Sequence, residues 1–407
     1  MTNTKLALRA RTQVRSFIEK TEKRVGRRGD ILMNTIREQM ENQLQRLHKN
    51  NMQELVACLD SEMWSQCAPT PSEQRLLRAL IESSEVSSTV STKEDNSIAS
   101  IHTLISEAIR RVSKSKNKQR MNSKSTLVHI KGRSFRVVGS MLVSLRLIAS
   151  YIQASYQSSF LCPHAIRRLL ELLQLFNSRT TQLVLGAGAL QTTRGRLKQI
   201  TAKHLALVTQ CLSLVVRMMI EYHNHQGNES HQTLTHTQIQ LVPCLRILLS
   251  RTLNSKHHIL LNNLDRMSRD YKEHVDKIFN KLVSIVRNVV DTNCHEHLSK
   301  ETWSGEEPGV WIKSIAKALS QLHSLLVQLL PPDQVKTIFT QIVTMLNKRI
   351  PAHFKNLEAS SLSSQAVQRI LLDMSHLVAV LRRVRGLRDR GRTLDRYFRD
   401  RYVLCLI

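Results

Sequence analysis

The sequence predicts an all-α protein, an elongated array of helical bundles with one short β-hairpin. Apolar residues recur at intervals of three and four along most of the chain, which places them on one face of a helix. The 407 residues include only 12 glycines and 8 prolines, and aromatic residues make up 4%. This composition favours long helices over a sandwich or a barrel, because those folds need many turns.

The N-terminal part of the chain alternates between helical patterns and polar segments. Residues 1–66 have the pattern of two helices that are interrupted between Gly26 and Gly29. Residues 83–96 are rich in serine, threonine and acidic side chains, a composition typical of a flexible segment. Residues 108–136 then carry ten basic side chains and no acid. We expect a mobile connector from Lys114 to Arg120, where no residue is apolar.

A hairpin and four longer helices are predicted in the rest of the chain. The stretch from Thr126 to Val138 alternates apolar and polar residues around Lys131 and Gly132, which indicates a β-hairpin. Four later stretches have the apolar spacing of a buried helix face. Their stripes are Val138, Met141, Leu145, Ile148 and Ile152; Leu264, Met267, Tyr271, Val275, Ile278, Leu282, Ile285 and Val289; Leu319, Leu322, Leu326 and Leu329; and Val367, Ile370, Met374, Leu377 and Leu381.

These patterns divide the chain into five segments. Residues 1–107 are a helical segment with the flexible stretch, and residues 108–136 are the basic connector and hairpin. Residues 137–254 are predicted to form one helical domain and residues 255–401 a second helical bundle, followed by a tail at 402–407.

The net charge of +28 is unevenly distributed. Between Ala108 and Asn263 there are 22 lysines and arginines against three acids. A field of this sign attracts anionic lipid headgroups, nucleic acid or an acidic protein. The candidate residues for contact with an anionic membrane or partner are Lys114, Lys116, Lys118 and Arg120.

A second basic run lies near the end of the chain. Three interpretations stay open: a solvated face with internal ion pairs, a contact with lipid or an acidic protein, and nonspecific binding to nucleic acid. The basic segments lack interleaved aromatic residues and nucleic-acid recognition signatures, which disfavours the last. The run contains Arg382, Arg383, Arg385, Arg388, Arg390, Arg392, Arg396, Arg399 and Arg401, with Asp389, Asp395 and Asp400 among them.

No pattern predicts an enzyme, a cofactor or a metal. Gly186, Ala187 and Gly188 lack the third glycine of a dinucleotide site, because position 191 is glutamine. We expect these small residues to pack against another helix instead. Two groups of potential zinc ligands lack the paired spacing of a structural site and are interpreted as solvated loop residues. They are His223, His225, His231 and His236, and Cys294, His295 and His297.

The chain has the features of a cytoplasmic protein. Its seven cysteines contain no Cys-x-x-Cys pair, which fits reduced thiols in the cytosol. No apolar run is long enough to predict a membrane span, and the first residues do not resemble a secretory signal.

One stretch resembles a known family closely. The segment from Phe176 to Gln191, continued from Leu197 to Leu207, resembles the Vps54 family, a subunit of the Golgi-associated retrograde protein (GARP) complex. Weaker similarity to that family is spread over most of the chain. It lies at Val14–Glu22, Leu59–Trp64, Thr126–Leu142, Asp265–His274 and Leu381–Leu387. The residues that carry the signature are Asn177, Ser178, Arg179, Gln182, Gly186, Gly188 and Gln191.

The resemblance implies a function in vesicle tethering without catalysis or cofactors. It implies helical bundles like those of multisubunit tethering complexes, and retrograde transport from endosomes to the trans-Golgi network. Its expected partners are the other GARP subunits and, peripherally, endosomal or Golgi membranes; SNARE contact belongs to a coiled-coil N-terminal half of the family. We expect this chain to correspond to the C-terminal half, with no family match beyond Leu387. The alternative is a basic helical scaffold that binds nucleic acid nonspecifically.

Overall fold

The computed structural model confirms the predicted all-α class with one hairpin. It describes residues 30–78, 127–130, 133–157, 160–186, 197–219, 257–297, 306–355 and 362–402, with isolated positions at 13, 16, 17, 20, 21, 23, 24, 80, 107, 109, 191 and 303. The helices are α1 (Asp30–Asp60), α2 (Gly139–Gln157), α3 (Leu161–Val184), α4 (Ala202–Met219), α5 (His257–His297), α6 (Val310–Leu329), α7 (Pro332–His353), α8 (Ser364–Arg382) and α9 (Arg392–Tyr402). The strands are β1 (Val128–Ile130) and β2 (Arg133–Phe135).

The described residues form two compact units. One comprises Met1–Gln199 and Gln210–His274, and the other comprises Ile200–Thr209 and Val275–Ile407. The predicted division into five segments and the elongated arrangement of the bundles stay predictions. The flexible stretch at 83–96 and the connector from Lys114 to Arg120 lie outside the described residues.

In the first unit, α2 packs along α3 and α1 lies against both helices. All five residues of the stripe predicted for α2 are buried. Leu55 and Leu59 of α1 are buried as well, so the three helices share one apolar core. The predicted interruption between Gly26 and Gly29 lies outside the described residues.

The hairpin forms where the alternating sequence predicts it. Strand β1 pairs antiparallel with β2, with Val128 opposite Phe135, and both of these side chains are buried. The turn positions 131 and 132 lie outside the described residues. The backbone N–H of Cys67 donates to the carbonyl oxygen of Val137 at 2.8 Å, so the chain that follows α1 is held beside the hairpin.

A helical turn at 71–78 begins with a capping box. The N–H of Glu73 donates to the Thr70 hydroxyl at 3.2 Å, and the N–H of Thr70 donates to a Glu73 carboxylate oxygen at 2.7 Å. This reciprocal pairing satisfies two amides that a helix start would leave without partners. Gln74 then donates from its side chain to the carbonyl oxygen of His129 at 2.9 Å, which ties the turn to the hairpin.

In the second unit, α8 packs against α6 and α9, and α7 contacts both α6 and α9. The stripe predicted for α8 is fully buried, and on α6 Leu319, Leu322 and Leu326 are buried while Leu329 is half-buried. The break between α6 and α7 follows from Pro331 and Pro332, because a proline lacks the N–H that a helix interior needs but fits the first helical position.

The long helix predicted from Leu264 is α5. Leu264, Met267, Tyr271, Ile278 and Leu282 are buried in it, and the remaining members of the stripe are half-buried. The 41 residues of α5 exceed the predicted stripe at both ends.

The arginine-rich end of the chain folds as a packed helix. In α9, Leu394, Phe398 and Tyr402 are buried. The Phe398 ring lies edge-on to Phe354, with ring centroids 5.0 Å apart, and Phe354 also contacts Trp311. Within the described ranges, no helix is both long and apolar enough to cross a bilayer.

Candidate functional site

The family signature lies at the C-terminal end of α3, where the helix has one buried and one polar side. Phe176, Thr180, Leu183 and Val184 are buried. Ser178 and Gln182 are exposed, whereas Asn177 and Arg179 are half-buried. The half-buried pair can therefore reach neighbouring helices, and both residues make contacts of this kind.

Arg179 connects α3 to the end of α1. Its Nε and Nη2 atoms both donate to Oδ1 of Asp60, at 2.9 Å and 2.7 Å. Asp60 is the last residue of α1, where a negative charge opposes the helix dipole, so the guanidinium offsets an unfavourable position. Nη1 of Arg179 donates to Oε1 of Gln182 at 2.6 Å, which fixes the guanidinium plane.

Asn177 connects α3 to α5 through a buried histidine. Its Oδ1 atom lies 2.7 Å from Nδ1 of His274, and only 2% of His274 is exposed. The ring must carry a hydrogen on Nδ1 to donate to this oxygen. The Thr181 hydroxyl lies 3.1 Å from the same ring nitrogen and donates to the Asn177 carbonyl oxygen at 2.9 Å.

A tyrosine strengthens the same junction one turn away. The hydroxyl of Tyr271 on α5 donates to the carbonyl oxygen of Leu173 on α3 at 2.8 Å. Tyr271 is fully buried, and this burial raises the pKa of its hydroxyl well above the ordinary value. The hydroxyl therefore stays protonated and acts as a donor at physiological pH.

Gly186 ends the signature helix. It is exposed, and a Cβ at this position would lie 2.7 Å from the carbonyl oxygen of Gln182, closer than a side chain tolerates. The close approach of the backbone at the end of α3 therefore explains why a glycine occupies position 186. Gly188 lies outside the described residues, Gln191 is exposed, and the packing of the small residues against another helix stays a prediction.

A second polar junction of α3 joins three helices and was not predicted from the sequence. His48 of α1 lies 2.8 Å from the Tyr151 hydroxyl of α2 through Nδ1, and 3.0 Å from Oε2 of Glu171 on α3 through Nε2. Arg168 donates to the same Glu171 oxygen at 2.8 Å. Burial lowers the pKa of His48, against the attraction of Glu171, and burial raises the pKa of Tyr151 to about 12.

Glu62 lies in the stretch Leu59–Trp64 and binds two backbone amides. One carboxylate oxygen accepts the N–H of Ser140 at 2.6 Å, and the other accepts the N–H of Trp64 at 3.1 Å. Ser140 lies in the first turn of α2, where amides lack partners within the helix, so Glu62 caps α2 from the end of α1. This carboxylate also complements the positive end of the helix dipole.

An open groove of about 640 Å³ lies in the second unit, between α5 and α7. Val283 and Met345 are apolar residues of its lining, and the lining also contains three cations, Arg287 of α5 and Lys348 and Arg349 of α7. Among the described residues that line the groove none is acidic, and Arg349, which also lines it, is paired with Asp291 at 2.5 Å.

The interpretation of Cys294, His295 and His297 as solvated loop residues was wrong, because all three lie in α5 and Cys294 is buried. Lys114, Lys116, Lys118 and Arg120 lie outside the described residues, as do the four histidines from His223 to His236. Among the described side chains, no three histidines, cysteines or acids are grouped to hold a metal ion. Burial raises the pKa of Cys211 and of Cys294 to about 12, so both thiols are protonated at neutral pH and are poor nucleophiles.

The arrangement around α3 is therefore suited to holding helices together. Its polar groups are paired with one another across α1, α2 and α5, and the residues of the signature take part in that pairing. Side chains held in this way give a surface a fixed shape.

Comparison with known proteins shows which family the chain resembles. Residues 132–238 and 228–288 match the model of the Vps54-like protein family. This range starts in the hairpin and includes α2, the signature helix and most of α5. Residues 132–288 of the chain form a Vps54-like region. The resemblance of Phe176–Leu207 is thereby confirmed.

Members of the family from distant organisms align with most of this chain. It is 26% identical to vacuolar protein sorting-associated protein 54 of Homo sapiens over 374 residues, which cover 92% of this chain and 33% of the human protein. The protein of the same name from Arabidopsis thaliana, described as chloroplastic, is 24% identical over 424 residues, or 91% of this chain and 38% of that protein.

A shorter alignment has higher identity. Vacuolar protein sorting-associated protein 54 of Caenorhabditis elegans is 29% identical over 209 residues, which cover 51% of this chain and 17% of the nematode protein. The chain thus spans about a third of the length of the human relative. No solved structure matches it.

Proposed function

We propose that the chain is part of a non-enzymatic subunit of the GARP vesicle-tethering complex. In this function it would support retrograde transport from endosomes to the trans-Golgi network through contacts with proteins and, peripherally, with membranes. The observation that carries the proposal is the similarity to vacuolar protein sorting-associated protein 54 along 92% of the chain.

The geometry of the first unit supports a scaffold. The signature residues Asn177 and Arg179 bind His274 and Asp60, so the most family-like part of the sequence maintains the positions of α1, α3 and α5. A binding surface formed by several helices keeps its shape only when the helices are fixed relative to one another. The partners on such a surface would be the other GARP subunits, and the location would be the cytoplasmic side of trans-Golgi and endosomal membranes.

Affinity purification from the cells that produce this protein tests the proposal. We expect the epitope-tagged chain to enrich the other GARP subunits, identified by mass spectrometry, and to colocalise with a trans-Golgi marker. Nuclease treatment of the lysate should leave the enrichment unchanged, because the contacts are between proteins.

Two variants make this experiment specific. Arg179→Glu opposes Asp60 and should lower the recovery of GARP subunits together with the thermal stability of the chain. Lys317→Glu makes the same change of charge at an exposed position of α6, outside the signature, and should preserve the protein contacts. A folded, abundant chain that enriches no GARP subunit, or one that loses its partners on nuclease treatment, would overturn the proposal.

A further inference from the structure

The arginine-rich segment near the end of the chain forms an exposed cationic surface. Eight of its nine arginines are exposed, and only Arg401 is half-buried. We call the eight exposed residues the arginine patch: Arg382, Arg383, Arg385, Arg388, Arg390, Arg392, Arg396 and Arg399.

Ion pairs neutralise little of this patch. Within the part of the chain that the structure describes, Arg399 is the member with an ion pair, to Asp395 at 3.1 Å. Asp389 is occupied elsewhere, since it accepts from the side chain of Asn347 at 2.8 Å and from the N–H of Thr393 at 3.3 Å. Asp400 is the remaining acid of the segment and is exposed. The interpretation of the run as a face of internal ion pairs therefore does not hold for most of it.

The backbone that carries the patch is anchored to the core. Val384 and Leu387 are buried between α8 and α9. Gly386 and Gly391 have φ angles of +81° and +84°, which favour glycine, and they set the path of the turn. Asp389 fixes the same turn to α7 through Asn347. The arginines thus project from an ordered segment, which lowers the entropy lost when they bind a ligand.

Helix α9 continues the patch on a single face. Arg392, Arg396 and Arg399 follow the spacing of one helix face, whereas Leu394, Phe398 and Tyr402 are buried on the other side. Lys336 of α7 is exposed and lies beside the turn, since a Cβ on Gly386 would be 3.5 Å from its Cδ atom. Another cation therefore borders the patch.

We propose that the arginine patch binds the phosphate groups of an anionic membrane surface. Clusters of about four to eight basic residues attract such surfaces, and each contributes about 1 kcal/mol. Guanidinium groups bind phosphate through two parallel hydrogen bonds, which suits a patch made of arginine.

The composition of the patch favours lipid over a protein partner. None of the large apolar side chains that the structure exposes lies between residues 382 and 402, whereas protein interfaces have an apolar core. The preference for a membrane over nucleic acid, which also presents phosphates, rests on the proposed function in vesicle tethering.

Cosedimentation of the full chain with vesicles tests the proposal. The patch variant carries Arg385→Gln, Arg388→Gln, Arg390→Gln and Arg392→Gln. The control variant carries Lys281→Gln, Arg287→Gln, Lys317→Gln and Lys348→Gln, four exposed cations of the same unit outside the patch. Both variants lose the same charge, so the comparison separates a local site from the effect of a net charge of +28.

The expected result is a local, salt-sensitive loss of binding. On vesicles of equimolar phosphatidylcholine and phosphatidylserine, the patch variant should bind at least about tenfold more weakly than the parent, and the control variant should bind like the parent. Binding of the parent should decrease between low and physiological salt, where the screening length shortens to about 8 Å. Replacing phosphatidylserine by phosphatidylinositol 4-phosphate shows whether additional phosphates strengthen binding.

Three outcomes would overturn the proposal. The patch variant could bind like the parent while melting at the same temperature, or the control variant could lose as much affinity. The parent could also bind duplex DNA through the patch and fail to bind any vesicle, which would identify a nucleic-acid surface. The vesicle measurement contains no other GARP subunit, so its failure leaves the affinity purification above unaffected.

Discussion

Asp373 of α8 holds the first turn of α6 through Gly309. Its Oδ1 atom accepts the N–H of Gly309 at 2.7 Å, and its Oδ2 atom accepts Nε1–H of Trp311 at 2.9 Å. Asp373 is fully buried, and the half-charge at the start of α6 stabilises its carboxylate. Arg369 lies one helical turn earlier on α8, with Nε 3.5 Å from Oδ1. One carboxylate thus fixes the positions of two helices and a buried tryptophan.

Asp373→Asn should destabilise the protein strongly although it preserves the shape of the side chain. An amide cannot accept from both Gly309 and Trp311, and it leaves the buried Arg369 beside a neutral group. We expect a loss of about 3–5 kcal/mol in unfolding free energy, measured by urea unfolding.

Asp395→Asn is the matched control for this substitution. It removes the same charge from an ion pair in which 61% of the Arg399 side chain is exposed, and the expected loss is at most about 0.5 kcal/mol. Equal losses for the two variants would contradict the central position of Asp373 in the second unit.

Asn177→Ala should lower the stability of the protein, because it removes the contact between Asn177 of the signature and His274 of α5. The substitution removes the oxygen that faces Nδ1 of His274 and leaves a buried ring nitrogen with one partner fewer. We expect a loss of about 1–3 kcal/mol by chemical unfolding. Ser178→Ala changes the neighbouring signature residue, which is exposed and contacts its own helix, so its effect should be within about 0.5 kcal/mol. A larger effect at Ser178 than at Asn177 would show that the junction contributes little to stability.

The helices were predictable from the sequence because their causes are local. Apolar spacing predicts the buried faces of α2 and α8, and alternation around Gly132 predicts the hairpin. The buried face of α9 is harder to predict, because most residues around it are arginines. This face consists of Leu394, Phe398 and Tyr402 at intervals of four. A count of charges therefore suggests a solvated segment where the structure has a packed helix.

The polar junctions were not predictable, because their partners are far apart in sequence. His48 and Tyr151 are separated by 103 positions, and Asp60 and Arg179 by 119. Neither residue of such a pair lies in a local sequence pattern that predicts which residue it contacts. The family signature includes Asn177 and Arg179 and so indicates the helix that carries the junctions, but it does not predict which residues these two contact.

The buried His48 should make the protein less stable in mild acid. Its pKa is lowered from 6.5 in the folded state, chiefly by burial, so the unfolded chain binds the proton more readily. The contribution of His48 is complete above pH 6.5 and decreases as the pH falls below that value. The unfolding free energy, measured at several values between about pH 7 and pH 5, should therefore fall less steeply in His48→Gln than in the parent.

An unchanged slope in His48→Gln would show that the attraction of Glu171 offsets burial, and a steeper fall than in the parent would show that the ion pair outweighs burial.

Gly186→Ala should destabilise the end of the signature helix. The new methyl group would lie 2.7 Å from the carbonyl oxygen of Gln182, so the backbone after Val184 must shift. We expect a loss of about 1 kcal/mol or more, because alanine is placed where the native backbone does not fit it. Gly139→Ala is the matched control, since its methyl group would meet Glu62 Oε2 at an ordinary distance of 3.5 Å and alanine is a better helix former. Thermal unfolding of the two variants gives the comparison. Equal melting temperatures would show that the helix end relaxes freely and that the close approach at Gly186 costs no stability.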